Sequence, residues 1–210
     1  MELTDVDIID NFRATGQARY FQSLVSRYQH RIYNAAFRMI GDTQEAEEVV
    51  QETFIKVLQN LEKFRNQATF AAWMFRIAHN ICIDILRSRQ RKGGLQMMSF
   101  DPQSTQEQID QAYLQLSQVS QVADLEPGPA QKIEHIEQQE MIASSLGQLP
   151  ESQRIVLVLH DIEGFSYQEI AEIVGDNVGT IRSRLHYGRL KMKELLAPYF
   201  QNNTVAAYSG

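Results

Sequence analysis

Apolar residues recur at three- and four-residue spacing along most of this chain, the signature of helix faces rather than strands. From about Val6 to Lys92 the pattern is dense and unbroken by proline. Over Thr43 to Leu61, residues Ala46, Val49, Val50, Thr53, Phe54, Val57, Leu58 and Leu61 form a broad core stripe. Glu45, Glu48, Glu52 and Gln59 lie roughly opposite, and Ile55 falls among them. A further helix over Thr69 to Gln90 is apolar almost all round, with one polar and aromatic stripe of Trp73, Arg76, Asn80, Asp84 and Arg87. Helical spacing resumes near Ile133 and continues to Leu196. No useful β-alternation and no internal repeat is present, so the predicted fold is all-α.

Between these stretches the chain changes character. Gly93-Gly94 opens a segment punctuated by Pro102, Pro127, Gly128 and Pro129 and rich in Gln and Ser. Such composition predicts a flexible linker, with a transient helix near Ile109 to Val119. The organisation is then a helical domain at 1–92, a linker at 93–132, a second helical domain at 133–197 and a tail at 198–210 that should fray.

The second domain carries the sharpest local signal, in Leu149 to Leu196. Ser166 followed by Glu169 is a capping box that starts a short helix at Ser166. Ile170, Ala171, Ile173 and Val174 give that helix an apolar side, and Gly175-Asp176-Asn177 is a turn. A second helix follows from about Val178 to Leu196. At about 100° per residue, Val178, Ile181, Leu185, Gly188, Met192 and Leu196 share one side. Arg182, Ser183, His186 and Lys193 share the other. Two helices joined by a short turn, the second with a polar basic face, make a helix-turn-helix suited to the DNA major groove.

Charge sharpens that reading. The chain holds 20 Lys+Arg against 26 Asp+Glu, a net charge of −6. Yet Val178 to Lys193 contains Arg182, Arg184, Arg189, Lys191 and Lys193 and no acid. Positive charge segregated inside an acidic protein points to a nucleic-acid face more strongly than a general basic excess. A hydrophobic fraction of 43% supports real cores, and the single cysteine, Cys82, excludes an internal disulfide or a multi-cysteine metal site. Cys82 sits in an apolar helix and reads as a buried thiol. The N-terminus MELTDVDIID has no signal-peptide pattern, and no run approaches the roughly 18 apolar residues that span a membrane. A soluble, cytoplasmic protein without membrane insertion is expected.

Two stripes of the first domain each admit two readings. Ile55 ringed by Glu45, Glu48, Glu52 and Gln59 is either a solvated acidic face with one stray apolar residue or a docking surface for a basic partner. Trp73 beside Arg76 and Asn80 is either a core anchor or a platform for unstacked bases. Arg87, Arg89, Arg91 and Lys92 add a basic cluster next to it.

With these residues in view, the chain resembles the extracytoplasmic-function (ECF, group 4) sigma factors of bacterial RNA polymerase. Tyr20 to Phe64, with DTQEAEEVVQETFIKVLQNLEKF, resembles sigma regions 2.1 and 2.2. Arg65 to Lys92, RNQATFAAWMFRIAHNICIDILRSRQRK, resembles regions 2.3 and 2.4. Glu140 to Leu196, with LPESQR, DIEGFSYQEIAEIVG and VGTIRSRLHYGRL, resembles region 4. The likeness covers about two-thirds of the chain and leaves out the linker and termini.

The resemblance implies roles. Glu45, Glu48, Glu52, Ile55 and Gln59 would dock on the β′ coiled coil of core polymerase. Trp73, Arg76, Asn80, Arg87, Arg89 and Arg91 would open and read the minus-ten element, with Asn80 at the position that holds a flipped base. Region 4 would contact the β flap, and Thr180, Arg182, Ser183, Arg184, His186 and Tyr187 would read the minus-thirty-five element. The linker would thread through the polymerase, and an anti-sigma factor would be a partner. The chain departs from the family at Tyr187-Gly188, often Arg-Ala, and at Asn177, usually proline. Leu190 falls on the outer side of the recognition helix without an assigned role.

No enzyme reading competes. His30, His79, His135, His160 and His186 are scattered without zinc-site spacing, no glycine-rich phosphate loop occurs, and no cofactor or metal is implied. The alternatives to a promoter-specificity subunit are a stand-alone helix-turn-helix regulator and an all-α adaptor whose basic faces bind acidic protein.

Overall fold

The computed structural model describes residues 3–65, 68–93 and 141–207, and the described residues are helical with short turns. Helix α1 (Asp5–Thr15) starts at a capping box in which Thr4 and Asp7 bond each other's backbone N–H. Helix α2 (Ala18–Ile40) and helix α3 (Thr43–Asn60) follow, and Asp42 caps α3 by accepting from the Glu45 N–H at 2.9 Å. A single 3-10 turn, Leu61–Lys63, leads toward helix α4 (Phe70–Gly93). Thr69 caps α4, its hydroxyl accepting from the Ala72 N–H at 3.2 Å. Helices α1, α3 and α4 all pack on α2, and α3 packs on α4. Leu24, Ile32, Ala46, Val49, Met74 and Phe75 are buried at the centre of this bundle.

The capping rules legible in the sequence hold in the second half. Residues 141–147 are helical, helix α5 spans Glu151–Leu157, and a π turn covers Val158–Ile162. Helix α6 (Tyr167–Val174) begins at the Ser166–Glu169 capping box, with both reciprocal bonds present, and ends at Gly175. Gly175 has φ 76°, a left-handed conformation that favours glycine over any residue with a Cβ. Helix α7 is Val178–Ala207 and packs on both α5 and α6.

Three expectations need revision or fall outside the described residues. Leu58, placed in the core stripe of α3, is 46% exposed. It sits three residues from Ile55, which is 56% exposed, so the two form one apolar patch on the outer face. Helix α7 continues past the expected end at Leu196, through Pro198. A helical proline forfeits one backbone bond at a cost of about 3 kcal/mol, which penalises a helix without forbidding it. The linker, with its helix near Ile109 to Val119, lies outside the described residues.

The two halves pack against each other. Buried residues of both belong to one contiguous apolar cluster, and α4 packs along α6. No helix among the described residues is long and apolar enough to cross a membrane.

Candidate nucleic-acid interface

The recognition-helix geometry follows from its start. Asn177 precedes α7 in the chain, its side-chain oxygen accepts from the Thr180 N–H at 2.9 Å, and its carbonyl accepts from the Ile181 N–H at 3.1 Å. That is an N-cap, so the residue standing where the family usually has proline fixes the helix register by a different device. With this register, Ile181 and Leu185 turn inward and are buried, and Gly188 faces α5. Arg182, Ser183, His186 and Tyr187 turn outward and are exposed, Tyr187 by 60%. The His186 and Tyr187 rings meet edge to face, 5.4 Å apart.

The positive charge of α7 is less free than the sequence suggests. Arg184, expected on the reading face, is half-buried and paired with Asp176 at 2.6 Å. Arg189 is paired with Asp161 through two nitrogens, one of them at 3.0 Å, and those bonds hold its guanidinium more strongly protonated than usual. Lys191 reaches Glu194 at 3.1 Å. Arg182 and Lys193 have no ion-pair partner among the described residues. The two line a groove of about 340 Å³ with Tyr167, Leu185, His186, Arg189 and Leu190. Of the upstream candidates, Thr180 is half-buried at the helix start, and the Ser183 hydroxyl donates back to the Gly179 carbonyl at 3.1 Å. Leu190 is 47% exposed on the rim of this groove.

On α4 the polar stripe is real but its members differ. Arg76, Asn80, Arg87 and Arg91 are exposed. Trp73 is half-buried against Phe64 and Phe70, with ring centroids 5.3 and 5.8 Å away, so it is an anchor with one accessible side. Arg89 turns back into the bundle, where it meets Glu45 at 2.5 Å and donates to the Ile40 carbonyl at 2.9 Å. Glu45 and Arg89, assigned by resemblance to polymerase and DNA respectively, are therefore each other's partner and tie α3 to α4. Beside Asn80, His79 is buried, its Nδ1 is without a hydrogen-bond partner, and burial holds its pKa below the ordinary 6.5. Cys82 is buried and its thiol is pushed up to about 12, which leaves it unreactive.

On the outer face of α3, Glu48, Glu52 and Gln59 are exposed around Ile55 and Leu58. Glu52 is paired with Lys56 at 2.7 Å. The patch is thus broader and more apolar than Ile55 alone.

Several residues that matter were not legible beforehand. Arg154 of the LPESQR motif is 2% exposed, reaches the Gly147 carbonyl at 3.5 Å, and loses proton affinity to burial. The π turn sends Asp161 toward the recognition helix and Glu163 toward α2. Asn177, expected above only as part of a turn, had a readable capping signal in its position three residues before Thr180.

The family model "Sigma-70 region 2" matches residues 24–92, and "Sigma-70, region 4" matches residues 139–192. The ECF RNA polymerase sigma factor SigE of Mycolicibacterium smegmatis is 32% identical over 93% of this chain and 70% of its own length. The RNA polymerase sigma-H factor of Pseudomonas aeruginosa is 33% identical over 87% of this chain and 89% of its own. The solved structure of CnrH in complex with the cytosolic domain of CnrY superposes with a TM-score of 0.59 and 27% identity, covering 91% of this chain and 96% of that one. The chain belongs to the ECF RNA polymerase sigma factors.

Proposed function

We propose that this promoter-specificity subunit divides its reading between two helices, α7 for the minus-thirty-five element and α4 for the minus-ten element. The observation that carries the first assignment is the register set by Asn177. It presents Arg182, Ser183, His186 and Tyr187 on one exposed face while neighbouring cations are tied to acids. Arg182 has the forked donors that match guanine O6 and N7, and no ion pair competes for them among the described residues. Thr180 belongs to the cap, and Arg184 steadies the turn through Asp176.

For the minus-ten element, Asn80 and Arg76 stand exposed one turn apart on α4. Asn80 can hydrogen-bond the edge of a base taken out of the stack, and the accessible side of Trp73 can bear against it. Arg87 and Arg91 lie further along the helix and suit phosphates. Polymerase docking falls to Ile55 and Leu58 with Glu48, Glu52 and Gln59 around them, an apolar centre inside a ring of acids and amides that selects a basic partner. The β′ coiled coil is that partner and the β flap is the partner of the second half. The boundaries at 92, 132 and 197 divide the chain by these tasks. The chemistry of RNA synthesis belongs to the polymerase, in the cytoplasm, and this subunit supplies recognition and strand opening without a cofactor. An anti-sigma factor is the expected inhibitory partner; the relative CnrH is known in complex with a cytosolic domain.

The stand-alone regulator is not favoured, because the family match spans both halves of the chain. Run-off transcription with core polymerase on a genomic promoter library tests the reading. Transcripts from a restricted promoter set should appear only when this protein is added. Tight, specific binding of the lone protein to a duplex promoter, with no transcription, would overturn it.

A further inference from the structure

Among the exposed side chains of α7 from Arg182 to Glu194, that of Leu190 alone carries no polar atom. At about 100° per residue, the outward residues of this stretch fall into two parallel stripes, each within about 60°. Arg182, His186, Arg189 and Lys193 make one, and all four line the groove of about 340 Å³. Ser183, Tyr187, Leu190 and Glu194 make the other, which holds no lysine or arginine. Its centre is a pair three residues apart, and such residues are neighbours on a helix surface. Tyr187 is 60% exposed and Leu190 is 47% exposed. The His186 ring meets Tyr187 edge to face, 5.4 Å away, and limits where the phenol can swing. Glu194, which closes the stripe, is tied to Lys191 at 3.1 Å.

The apolar pair and its surroundings define what can cover it. Arg182 and Lys193, without ion-pair partners among the described residues, flank the pair along the helix, so the occupant is anionic. Arg182 to Leu190 covers about 12 Å, the width of the major groove. Base-pair edges in that groove are polar with one exception, the thymine methyl. A guanine or cytosine edge buried under Leu190 would lose its water without gaining a partner, which costs free energy. A thymine methyl buried there gains apolar contact instead. The helix rises about 4.5 Å from Tyr187 to Leu190, comparable with the roughly 3.4 Å between stacked bases, so the two side chains face neighbouring base pairs.

We propose that Tyr187 and Leu190 form an apolar edge that selects thymine methyl groups at two neighbouring base pairs of the upstream element, beyond the base pair that Arg182 reads. The proposal rests on reading α7 as the major-groove helix. Arg182 supplies the charged contact, and the apolar edge adds a preference that no hydrogen bond carries. Leu190 thereby becomes a specificity-determining residue.

The test removes the methyl groups themselves. Selection by wild-type holoenzyme from duplex promoters randomised upstream should return thymine, on either strand, at two neighbouring base pairs. Replacing each of those thymines by deoxyuridine deletes one methyl and leaves every hydrogen-bonding group in place. Each replacement should lower promoter affinity about fourfold, the factor that one buried methyl carries. With Leu190→Ala one of the two thymines should become equivalent to uracil, and with Tyr187→Ala the other. Tyr187→Phe keeps the ring and should keep the preference. Circular dichroism checks that each variant folds; where one does not, the deoxyuridine promoters with wild-type protein still decide the matter. Selected promoters without the paired thymines, or uracil promoters bound as tightly as thymine ones, overturn the apolar edge. Folded variants that weaken thymine and uracil promoters alike place the pair on a protein surface and overturn it too. Arg182→Lys is selected in parallel. If it alters the motif while uracil changes nothing, the apolar edge alone is refuted; if neither has any effect, the placement of α7 in the groove is refuted with it.

Discussion

Gly188 lies on the inner side of the recognition helix, and replacing it measures how that helix is seated. A Cβ at this position would stand 3.5 Å from Gln153 Cβ, 3.5 Å from Leu157 Cδ1 and 3.6 Å from the Gln153 carbonyl oxygen. Those are ordinary van der Waals separations, so alanine fits without displacing α5. Helix propensity then favours alanine by about 1 kcal/mol. The added methyl is buried and contributes up to about 0.8 kcal/mol more. Gly188→Ala should therefore stabilise the protein by about 1–2 kcal/mol, which for a chain of this size raises Tm by about 2–7 °C. Chemical denaturation gives the free energy and calorimetry gives the shift. DNA selection should not change, because the position faces α5 rather than the groove. A lower Tm would refute the reasoning, since it would mean that α7 sits closer to α5 than these distances allow.

Asn177→Ala removes the cap of α7 and should cost about 1 kcal/mol, whereas Asn177→Asp keeps the acceptor and should retain most of the stability; urea titration separates them. His79 resists a proton that the unfolded chain accepts, so its contribution is intact above about pH 6.5 and declines as the pH falls below it. Melting temperatures between pH 7.5 and 5.5 should thus fall less in His79→Gln than in the wild type, and parallel slopes would sink the idea. Ile55→Asp with Leu58→Ser should weaken capture of core polymerase in a pull-down titration while leaving the circular dichroism melt unchanged, because both side chains are exposed. A collapsed melt would return them to the core.

The helices of this protein were readable because their signals are local. The Ser166–Glu169 capping box, the turn at Gly175 and the inward Ile181 and Leu185 all follow from spacing within a few residues. The exposed face of α7 followed too, since a helix with a known start has a known outside. Leu58 was misplaced because a broad α3 stripe does not reveal where its neighbours stop. Arg184 and Arg189 count as free positive charge in the sequence, and Glu45 as a docking acid by resemblance, but their partners Asp176, Asp161 and Arg89 depend on tertiary packing that no helical period encodes. The π turn and the Arg31–Glu163 pair were invisible for the same reason: residues 132 apart in sequence meet only once both halves are folded.

The central claim, that α7 and α4 read separate promoter elements, is tested most directly by selection from a duplex library randomised at both elements, using holoenzyme made with wild type, Arg182→Lys or Asn80→Ala. Lysine cannot reproduce the forked guanine contact, so Arg182→Lys should relax one upstream position at a cost of about 1–3 kcal/mol and leave the downstream motif unchanged. Asn80→Ala should degrade the downstream motif and leave the upstream one unchanged. A variant that altered the opposite element, or a pair of variants that altered neither, would contradict the account.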